Sequence, residues 1–453
     1  MLEQDTIAAI ATGSGGGIGV IRISGPKAFE ITGKIFRGRK PVSEMKGYTG
    51  CLGRTFDADG ELDEAVLMVF RAPHSYTGED VAELSCHGSR FLLERVLAAA
   101  VTAGARPAGP GEFTRRAFLN GKMSLTQAEA VADLVSGENR QAARAALEAR
   151  DGALFRTIQQ ILASLTDTAS HLAAWIDYPE EDVEEVLAGD MSRAIDDARQ
   201  KLAALTETYQ RGRILREGIS TAIVGSPNVG KSTLMNLLAG YDRSIVTDIP
   251  GTTRDVVEET VRLGGLSLRI SDTAGIRSTD DPVEKIGVER SRNRLEQCDL
   301  ILAVFDGSRP LNDADLELLS QLDGRLAIGI CNKADLPSVA DRNAIAMHTC
   351  SLLTLSARSG DGVQQLEQAI SDLSGLSELD SSAGILANQR QLDCTVRAVH
   401  ALSAALSDLD MGQTWDAVSV SLEEAIGALL ELTGQKASEQ IIDRVFERFC
   451  VGK

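Results

Sequence analysis

The octapeptide at residues 225–232 constrains the fold more than any other part of the chain. It reads Gly-Ser-Pro-Asn-Val-Gly-Lys-Ser and matches the pattern G-x-x-x-x-G-K-[ST]. An apolar run at 221–224 precedes it, and Leu234, Leu237 and Leu238 follow at helical spacing. Glycines let the backbone turn around a polyphosphate, so that N–H groups and the helix N-terminus face the phosphate oxygens. The sequence therefore predicts a strand, a phosphate-binding loop and a helix, in that order.

Four side chains around this loop have predicted roles in phosphoryl chemistry. Lys231 would reach the β- and γ-phosphates of a nucleoside triphosphate, and the Ser232 hydroxyl would ligate Mg²⁺. Asp272 follows 266–271, where apolar and polar residues alternate as in an edge strand, and it would hold the same ion through water. Thr253 would contact both Mg²⁺ and the γ-phosphate.

The identity of the base is predicted from two short motifs that follow apolar runs. Asn-Lys-Ala-Asp occupies 332–335, and a buried Asp335 carboxylate could accept from both N1–H and the exocyclic amine of guanine. Adenine lacks that pair of donors and would leave the carboxylate unpaired, which is costly. Ser356 and Ala357 are placed to offer backbone N–H groups to the guanine oxygen. The predicted nucleotide is therefore GTP. Its predicted contacts are Asn228, Val229, Gly230, Lys231, Ser232, Thr233, Thr247, Asp248, Ile249, Pro250, Gly251, Thr252, Thr253, Asp272, Thr273, Ala274, Gly275, Asn332, Lys333, Asp335, Ser356, Ala357 and Arg358.

The residue after Gly275 departs from the pattern of signalling GTPases. In those proteins a glutamine at this position orients the attacking water, whereas Ile276 has no polar side-chain atom. Arg254 and Arg277 lie nearby in sequence, but solvated loop charges explain them better than an arginine finger does. Either hydrolysis is slow or another residue orients the water.

Five further motifs extend over the rest of the chain. They are DTIAA at 5–9, GVIRISG at 19–25, SYTGEDV at 75–81, PGEFTRRAFLNGK at 110–122 and CVGK at 450–453. With these motifs the chain resembles, over essentially its whole length, the MnmE (TrmE) family of GTPases that modify the wobble uridine of certain tRNAs. The outer motifs are far more specific than the GTPase signature.

The resemblance implies an explanation for the missing glutamine. Members of the family hydrolyse GTP when two G domains meet, and a bound K⁺ replaces the arginine finger. The implied K⁺ ligands are Asn228, Thr252 and the backbone carbonyls of Thr247 and Ile249, while Glu284 would orient the water. The implied catalytic residues are thus Glu284, Lys231, Asn228 and Thr253. A desolvated cation beside the phosphates would offset charge that develops in the transition state.

The resemblance also implies a folate site and a set of partners. The N-terminal domain would form a homodimer and hold a 5-formyl- or methylene-tetrahydrofolate derivative through Arg22, Glu83, Lys122 and Lys453. Cys450 is either a reactive thiol beside this pocket or a packed hydrophobe. With an MnmG-type FAD-dependent protein in a heterotetramer, the family adds a carboxymethylaminomethyl group to C5 of uridine 34 in tRNA.

Changes of hydrophobic period indicate a multidomain α/β and α+β organisation. Residues 1–118 are predicted to form an N-terminal α+β domain, which the resemblance implies to be of the folate-binding type, and 119–217 the first part of a helical domain. Strand–helix alternation over 218–375 predicts a Ras-like P-loop G domain with a parallel sheet. Helical period returns over 376–453, so the G domain is predicted to be inserted into a discontinuous helical domain whose two parts pack together.

Composition sets limits on location. At 453 residues, the chain is long enough for two or three domains. No apolar run approaches about 18 residues, and no basic stretch precedes an apolar one at the N-terminus, so neither a membrane-spanning helix nor a signal peptide is predicted. Seven cysteines without C-x-x-C pairs indicate reduced thiols and a cytoplasmic protein.

A net charge of −19 opposes binding of nucleic acid over most of the surface. Contact with tRNA would therefore require either a partner protein or a local basic patch. The candidates for such a patch are Arg115 and Arg116 with Lys122, and the group Arg211, Arg213 and Arg216. Solvated charges on helix surfaces explain either group at least as well.

Two other functions remain open from the sequence. The first is a ribosome-assembly or regulatory switch GTPase that acts by binding RNA, although the segment after 375 is acidic and lacks a G-x-x-G nucleic-acid loop. The second is a folate-binding module with a G domain that does not hydrolyse GTP. The presence of Lys231, Ser232, Thr253 and Asp272 argues against that second reading.

Overall fold

The structure is a computed structural model that describes residues 5–13, 15–137, 139–177, 188–241, 258–271, 298–375, 384–447 and 449–453. The chain divides into two compact units. The first unit comprises Met1–Val135, Ala149–Leu202 and Asp393–Lys453, and the second comprises Ser136–Glu148 and Ala203–Leu392.

Thirteen strands and fourteen helices occupy the described residues. The strands are β1 Ile7–Ile10, β2 Ile18–Ser24, β3 Phe36–Gly38, β4 Thr49–Asp57, β5 Gly60–Phe70, β6 Val81–His87, β7 Arg106–Pro107, β8 Ile219–Val224, β9 Glu258–Leu263, β10 Leu266–Ser271, β11 Leu300–Asp306, β12 Ala327–Asn332 and β13 Ser351–Thr354. The α-helices are α1 Ala28–Ile35, α2 Arg90–Thr102, α3 Glu112–Leu119, α4 Leu125–Ser136, α5 Arg140–Arg150, α6 Ala153–Asp177, α7 Ala188–Glu217, α8 Lys231–Tyr241, α9 Asp313–Leu322, α10 Arg342–Met347, α11 Val363–Leu373, α12 Gln389–Asp410, α13 Trp415–Thr433 and α14 Glu439–Phe446.

A seven-stranded sheet forms the N-terminal part of the first unit, in the order β3-β4-β5-β6-β2-β1-β7. Its pairs are antiparallel except for β7, which runs parallel to β1. Alternate residues of β5 are buried, among them Leu67 and Val69, and they pack with Leu93 and Val96 of α2. One face of the sheet is therefore covered by helices, as expected for a strand pattern of period two.

Two stretches of helix far apart in sequence pack together in the first unit. Helix α6 lies against α13, and it buries Ile158, Ile161, Leu165 and Leu172 on one face. Helix α4 packs on α14 through a cluster that consists of Leu125, Ala128, Ile442, Phe446 and Phe449. Apolar residues at i, i+3, i+4 and i+7 produce such a buried face. The predicted domain boundaries near 118, 217 and 375 remain predictions.

The second unit is built on a six-stranded sheet in the order β13-β12-β11-β8-β10-β9. Five strands are parallel, and β9 runs antiparallel to β10. The prediction that 266–271 lies at a sheet edge is wrong, because β10 lies between β8 and β9. Ser267, one of the polar residues that suggested exposure, is buried, and its hydroxyl accepts a hydrogen bond from the Asn139 amide at 3.1 Å.

Strand β11 is buried at every position, as is typical of a central strand covered on both faces. Ligand sites in such sheets lie beyond the carboxyl ends of the parallel strands, and here β8, β12 and β13 lead into loops that carry predicted nucleotide motifs. Among the helices of the described residues, none has both the length and the hydropathy that a bilayer-spanning segment needs.

Candidate functional site

The loop between β8 and α8 has the backbone of a phosphate-binding loop. Gly225, Asn228 and Gly230 have φ values of +153°, +64° and +101°. A Cβ at Gly225 would collide with the Val304 carbonyl oxygen, and one at Gly230 would collide with the Asn332 amide. Both positions therefore require glycine for steric as well as conformational reasons. Asparagine tolerates the left-handed region better than most other residues, which suits position 228.

Lys231 is folded over this loop at the start of α8. Its Nζ donates to the carbonyl oxygens of Gly225 at 2.7 Å and Ser226 at 2.9 Å. Burial of the ammonium lowers the pKa of Lys231 below its usual value. Ser232 and Thr233 are exposed in the first turn of the same helix. Backbone N–H groups, a hydroxyl and an ammonium at one helix N-terminus fit a triphosphate with Mg²⁺, because oxygen ligands suit that ion.

Asn332 links the phosphate loop to the loop after β13. This side chain is buried; its Nδ2 donates to the Val229 carbonyl at 2.8 Å, and its Oδ1 accepts from the Ala357 N–H at 2.9 Å. Lys333 has a φ of +65°, and its Nζ lies 2.6 Å from Oδ2 of Asp306. The first two residues of the Asn-Lys-Ala-Asp motif therefore hold the loops together in this structure.

Two details of the predicted guanine contacts differ from expectation. Asp335 was predicted to be buried, but its side chain is exposed and accepts from the Ser356 hydroxyl at 2.9 Å. The N–H groups of Ser356 and Ala357 donate to the Asp361 carbonyl at 3.0 Å and to Asn332, rather than pointing freely at a ligand. The physical reason is that the turn at 356–361 satisfies the N–H of Ser356, while the buried Asn332 side chain satisfies that of Ala357. Arg358 is exposed on this turn.

A buried carboxylate beneath the phosphate loop was not found by sequence reasoning. Asp315 is 1% exposed, and its Oδ1 accepts from the Ser226 hydroxyl at 2.6 Å. Its Oδ2 lies 2.9 Å from Nη1 of Arg309 and accepts from the Asn312 N–H at 3.1 Å. The pair Asn312 and Asp315 forms a capping box at the start of α9, which is the one local signal that the sequence offers. The contact with Ser226 spans 89 residues and leaves no such signal.

Half of the predicted nucleotide site falls outside the described residues. These positions are Thr247, Asp248, Ile249, Pro250, Gly251, Thr252, Thr253, Asp272, Thr273, Ala274, Gly275 and Glu284. Of the predicted metal ligands, the structure therefore describes Ser232 for Mg²⁺ and Asn228 for K⁺. Both are exposed.

The first unit brings together three of the four predicted folate residues. Arg22 on β2 and Glu83 on β6 are paired across neighbouring strands, and Nε lies 2.7 Å from Oε1. The Arg22 guanidinium also lies 5.7 Å from the Tyr76 ring and 5.4 Å from the Phe113 ring. Its Nη1 donates to the carbonyl of Gly452 at 3.3 Å, next to Lys453. Lys122 is turned to the Pro73 carbonyl, to which it donates at 3.0 Å.

The segment 450–453 is held on the first unit by backbone hydrogen bonds. The Gly111 N–H donates to the Cys450 carbonyl at 3.3 Å, and the Phe113 N–H donates to the Lys453 carbonyl at 3.1 Å. Gly452 has a φ of +98°, and a Cβ there would collide with the Ile10 carbonyl oxygen. Cys450 is exposed in this segment, which argues against a packed hydrophobe, and its reactivity remains a prediction.

Three of the six cations in the two predicted basic patches are paired with carboxylates. Arg116 is 7% exposed, and its guanidinium pairs with three carboxylates at 2.5 to 3.1 Å. Arg115 pairs with Asp443 at 2.8 Å. Arg213 pairs with Asp299. The three partners of Arg116 are Asp5, Glu79 and Glu112. Phosphate binding at these arginines would have to compete with ion pairs inside each unit.

Two family profiles match this chain. The profile described as "GTP-binding protein TrmE N-terminus" matches residues 6–122, and the one described as "MnmE helical domain" matches 125–450. The G domain of the T. maritima FeoB iron transporter aligns with 34% of this chain and 98% of its own at 23% identity, with a TM-score of 0.26.

Relatives at the level of the whole chain are more informative. A protein named "tRNA modification GTPase MnmE" from Symbiobacterium thermophilum is 43% identical over 459 residues, with all of both chains covered. A protein of the same name from Acetivibrio thermocellus is 39% identical over 459 residues, again with full coverage of both. Identity of this extent, together with the phosphate loop and the two profiles, shows that the chain belongs to the MnmE family of tRNA modification GTPases.

Proposed function

We propose that GTP hydrolysis by this chain is activated by K⁺ and drives modification of the wobble uridine in certain tRNAs. In this proposal the chain works as a homodimer in the cytoplasm with an MnmG-type FAD-dependent protein in a heterotetramer. The complex adds a carboxymethylaminomethyl group to C5 of uridine 34. The observation that carries the hydrolytic part is the phosphate loop, whose two glycine positions exclude any side chain and whose lysine bridges the loop.

The described residues have distinct parts in this activity. Lys231 would exchange its bonds to the carbonyls of Gly225 and Ser226 for bonds to phosphate oxygens. The N–H groups that begin α8 would donate to the oxygens of the same phosphates. Ser232 would supply a hydroxyl ligand to Mg²⁺, together with Thr253 and, through water, Asp272. Mg²⁺ neutralises charge on the phosphates during transfer.

Asn228 is proposed as the side-chain ligand of K⁺, with Thr252 and the carbonyls of Thr247 and Ile249 completing its surroundings. The left-handed backbone and the exposure of Asn228 support this role, because the amide oxygen can reach a cation without breaking a contact of the core. Glu284 is proposed to orient the attacking water, since the apolar Ile276 has no group that could do so.

The open face of the N-terminal sheet supports a homodimer. Leu52 on β4 and Val66 on β5 are cross-strand partners that are 60% and 41% exposed, and Tyr48, immediately before β4, is 66% exposed. Exposed apolar side chains in a row on a sheet are typical of an interaction surface. Met68 lies two residues after Val66 on β5 and therefore on the same face. It is the cross-strand partner of Glu83, which in turn is the partner of Arg22. We therefore place the tetrahydrofolate site, with Lys122 and Lys453, beside the dimer contact.

The test of this proposal compares GTP hydrolysis in K⁺ and in Na⁺ at equal ionic strength. Wild-type turnover should rise steeply in K⁺, and Asn228→Ala should remove that rise while GTP still binds. Asn236→Ala is the matched control, because Asn236 is exposed further along α8. Equal rates in both salts would refute K⁺ activation. Nucleoside analysis of tRNA from cells lacking the chain tests the modification step. If uridine 34 still carries the carboxymethylaminomethyl group in those cells, the chain is not required for that step.

A further inference from the structure

The segment 27–46 is the most basic part of the N-terminal sheet domain. Six of its side chains are basic and two are acidic, whereas the whole chain has a net charge of −19. One of the two acids, Glu30, lies 2.8 Å from the ammonium of Lys34. The acidic remainder of the surface repels polyanions. A polyanion can therefore approach only where the local charge is positive, as it is at this segment.

Residues of this segment line an open cleft of about 640 Å³ between α1, β3 and the turn at Val42–Glu44. Arg37, Arg39, Lys40 and Ser43 line the cleft, and all four are exposed. Its floor includes Phe36, which is 2% exposed. Glu30 also lines the cleft, and its carboxylate is paired with Lys34. Beside that pair the cleft presents three further cations and a hydroxyl on an apolar base.

The three cations of the cleft are not neutralised by carboxylates of the described residues, and one of them is held in place by an aromatic ring. Within the described ranges, Arg37, Arg39 and Lys40 form no ion pair with a carboxylate, in contrast to Arg116 and Arg213. The Arg37 guanidinium lies 4.6 Å from the Phe56 ring, a stacking contact that fixes the group while leaving its N–H donors available. Arg71 fixes the backbone around Ser43, because it donates to the carbonyls of Ser43 at 2.7 Å and Met45 at 3.0 Å.

We propose that this cleft, defined by Arg37, Arg39, Lys40 and Ser43, binds the phosphodiester backbone of RNA independently of base sequence. The inference deepens the proposed function, on which it rests, by assigning the surface that receives the tRNA. Two guanidinium groups and an ammonium along an open groove suit consecutive phosphates, because such contacts position a nucleic acid without reading its bases. The open shape suits a polymer better than a single small anion, which is typically enclosed.

The test is titration of the full-length chain with an unmodified tRNA transcript, followed by fluorescence anisotropy between 25 and 200 mM KCl. The cleft variant combines Arg37→Gln, Arg39→Gln and Lys40→Gln. The slope of log K against log salt should fall by about 2 to 3, because each lost phosphate contact removes about 0.7 to 0.9. The dissociation constant at 100 mM salt should rise about tenfold or more. GTP turnover without RNA should not change.

A matched control removes the same charge elsewhere, through Arg144→Gln, Arg193→Gln and Lys201→Gln. Each of these exposed residues pairs with a carboxylate on its own helix. The control variant should therefore lose less tRNA affinity than the cleft variant, although both lose the same charge. Equal slopes for the wild type and the cleft variant would overturn the proposal. So would equal loss in both triple variants, because general charge would then explain binding.

Two further arms separate this inference from other causes. Polyglutamate of matched charge should compete weakly with the tRNA, and competition as strong as that of RNA would indicate a surface for acidic proteins instead. Thermal unfolding of the cleft variant should match the wild type. If wild-type hydrolysis proves independent of K⁺ while the cleft variant still loses tRNA, the proposed activation fails and this inference stands. If the wild type does not bind tRNA at 25 mM salt, the inference itself fails.

Discussion

The buried contact between Ser226 and Asp315 should govern the rigidity of the phosphate loop. The Ser226 hydroxyl donates to a carboxylate that is 1% exposed, and the Ser226 carbonyl accepts from Lys231 on the other side. Hydrogen bonds to charged groups contribute roughly 1.5–3 kcal/mol. Ser226→Ala should therefore speed backbone hydrogen exchange over 225–234 by roughly ten- to hundredfold where local opening governs exchange, and it should weaken GTP binding.

Asp315→Asn should act on the same contact, because the amide keeps the shape but removes the charge. The double variant should then lose less than the sum of the two single variants, with a coupling of about 1 kcal/mol or more. The partner Arg309 is 32% exposed, so solvent screens its share of the effect. Asp313→Asn is the matched control, because Asp313 is exposed in the same helix.

Hydrogen exchange is the suitable assay for this pair. Both tryptophans, Trp175 and Trp415, lie in the first unit, so their fluorescence reports poorly on unfolding of the second. Exchange measured by mass spectrometry resolves the loop directly. Additive effects of Ser226→Ala and Asp315→Asn, within about 0.5 kcal/mol, would refute the reasoning, because independent sites add.

Three other outcomes can be measured on the same chain. Gly230→Ala should abolish GTP binding because its φ is +101° and a Cβ would strike Asn332, whereas the exposed helical Gly240→Ala should not; calorimetric titration decides. GTP affinity should fall as pH rises through the lowered pKa of Lys231, because bound phosphate raises that pKa and GTP binding then takes up a proton. Lys231→Arg should move this fall to higher pH. A GTP affinity that does not change with pH would contradict the prediction. Iodoacetamide should modify the exposed Cys450 well before Cys86, whose pKa burial raises to about 12, and mass spectrometry of the peptides would expose the reverse order.

Local sequence predicts the phosphate loop because every determinant of that loop is local. The glycines, Lys231 and the strand–helix frame lie within about twenty residues, and each has one physical reason to be there. The strand at 266–271 was misplaced because Ser267 and Arg269 alternate with apolar residues as on an exposed edge. A hydrogen bond from Asn139, 128 residues away, makes burial of Ser267 tolerable, and no local pattern records it.

The guanine contacts show a different limit of sequence reasoning. The motif places Asp335, Ser356 and Ala357 in neighbouring loops, but it does not indicate whether their hydrogen-bonding groups are free. In the structure, Asn332 and Asp361 accept from the N–H groups of Ala357 and Ser356. Asp335 accepts from the Ser356 hydroxyl. The Arg22, Glu83 and Lys453 group was accessible through family resemblance alone, because its members come from strands and a segment that no residue spacing connects.

The contact of Arg22 with Gly452 joins positions 430 residues apart. During synthesis the N-terminal sheet can fold long before residues 450–453 leave the ribosome, since domains form in order from the N-terminus. Until then, Arg22 lacks its carbonyl acceptor, and the N–H groups of Gly111 and Phe113 lack the acceptors that this segment supplies. The surroundings of Arg22 are therefore completed only after residues 450–453 have been synthesised. A ribosome that stalls between residues 393 and 449 would release a chain in which the second unit is complete but Arg22, Gly111 and Phe113 lack these acceptors.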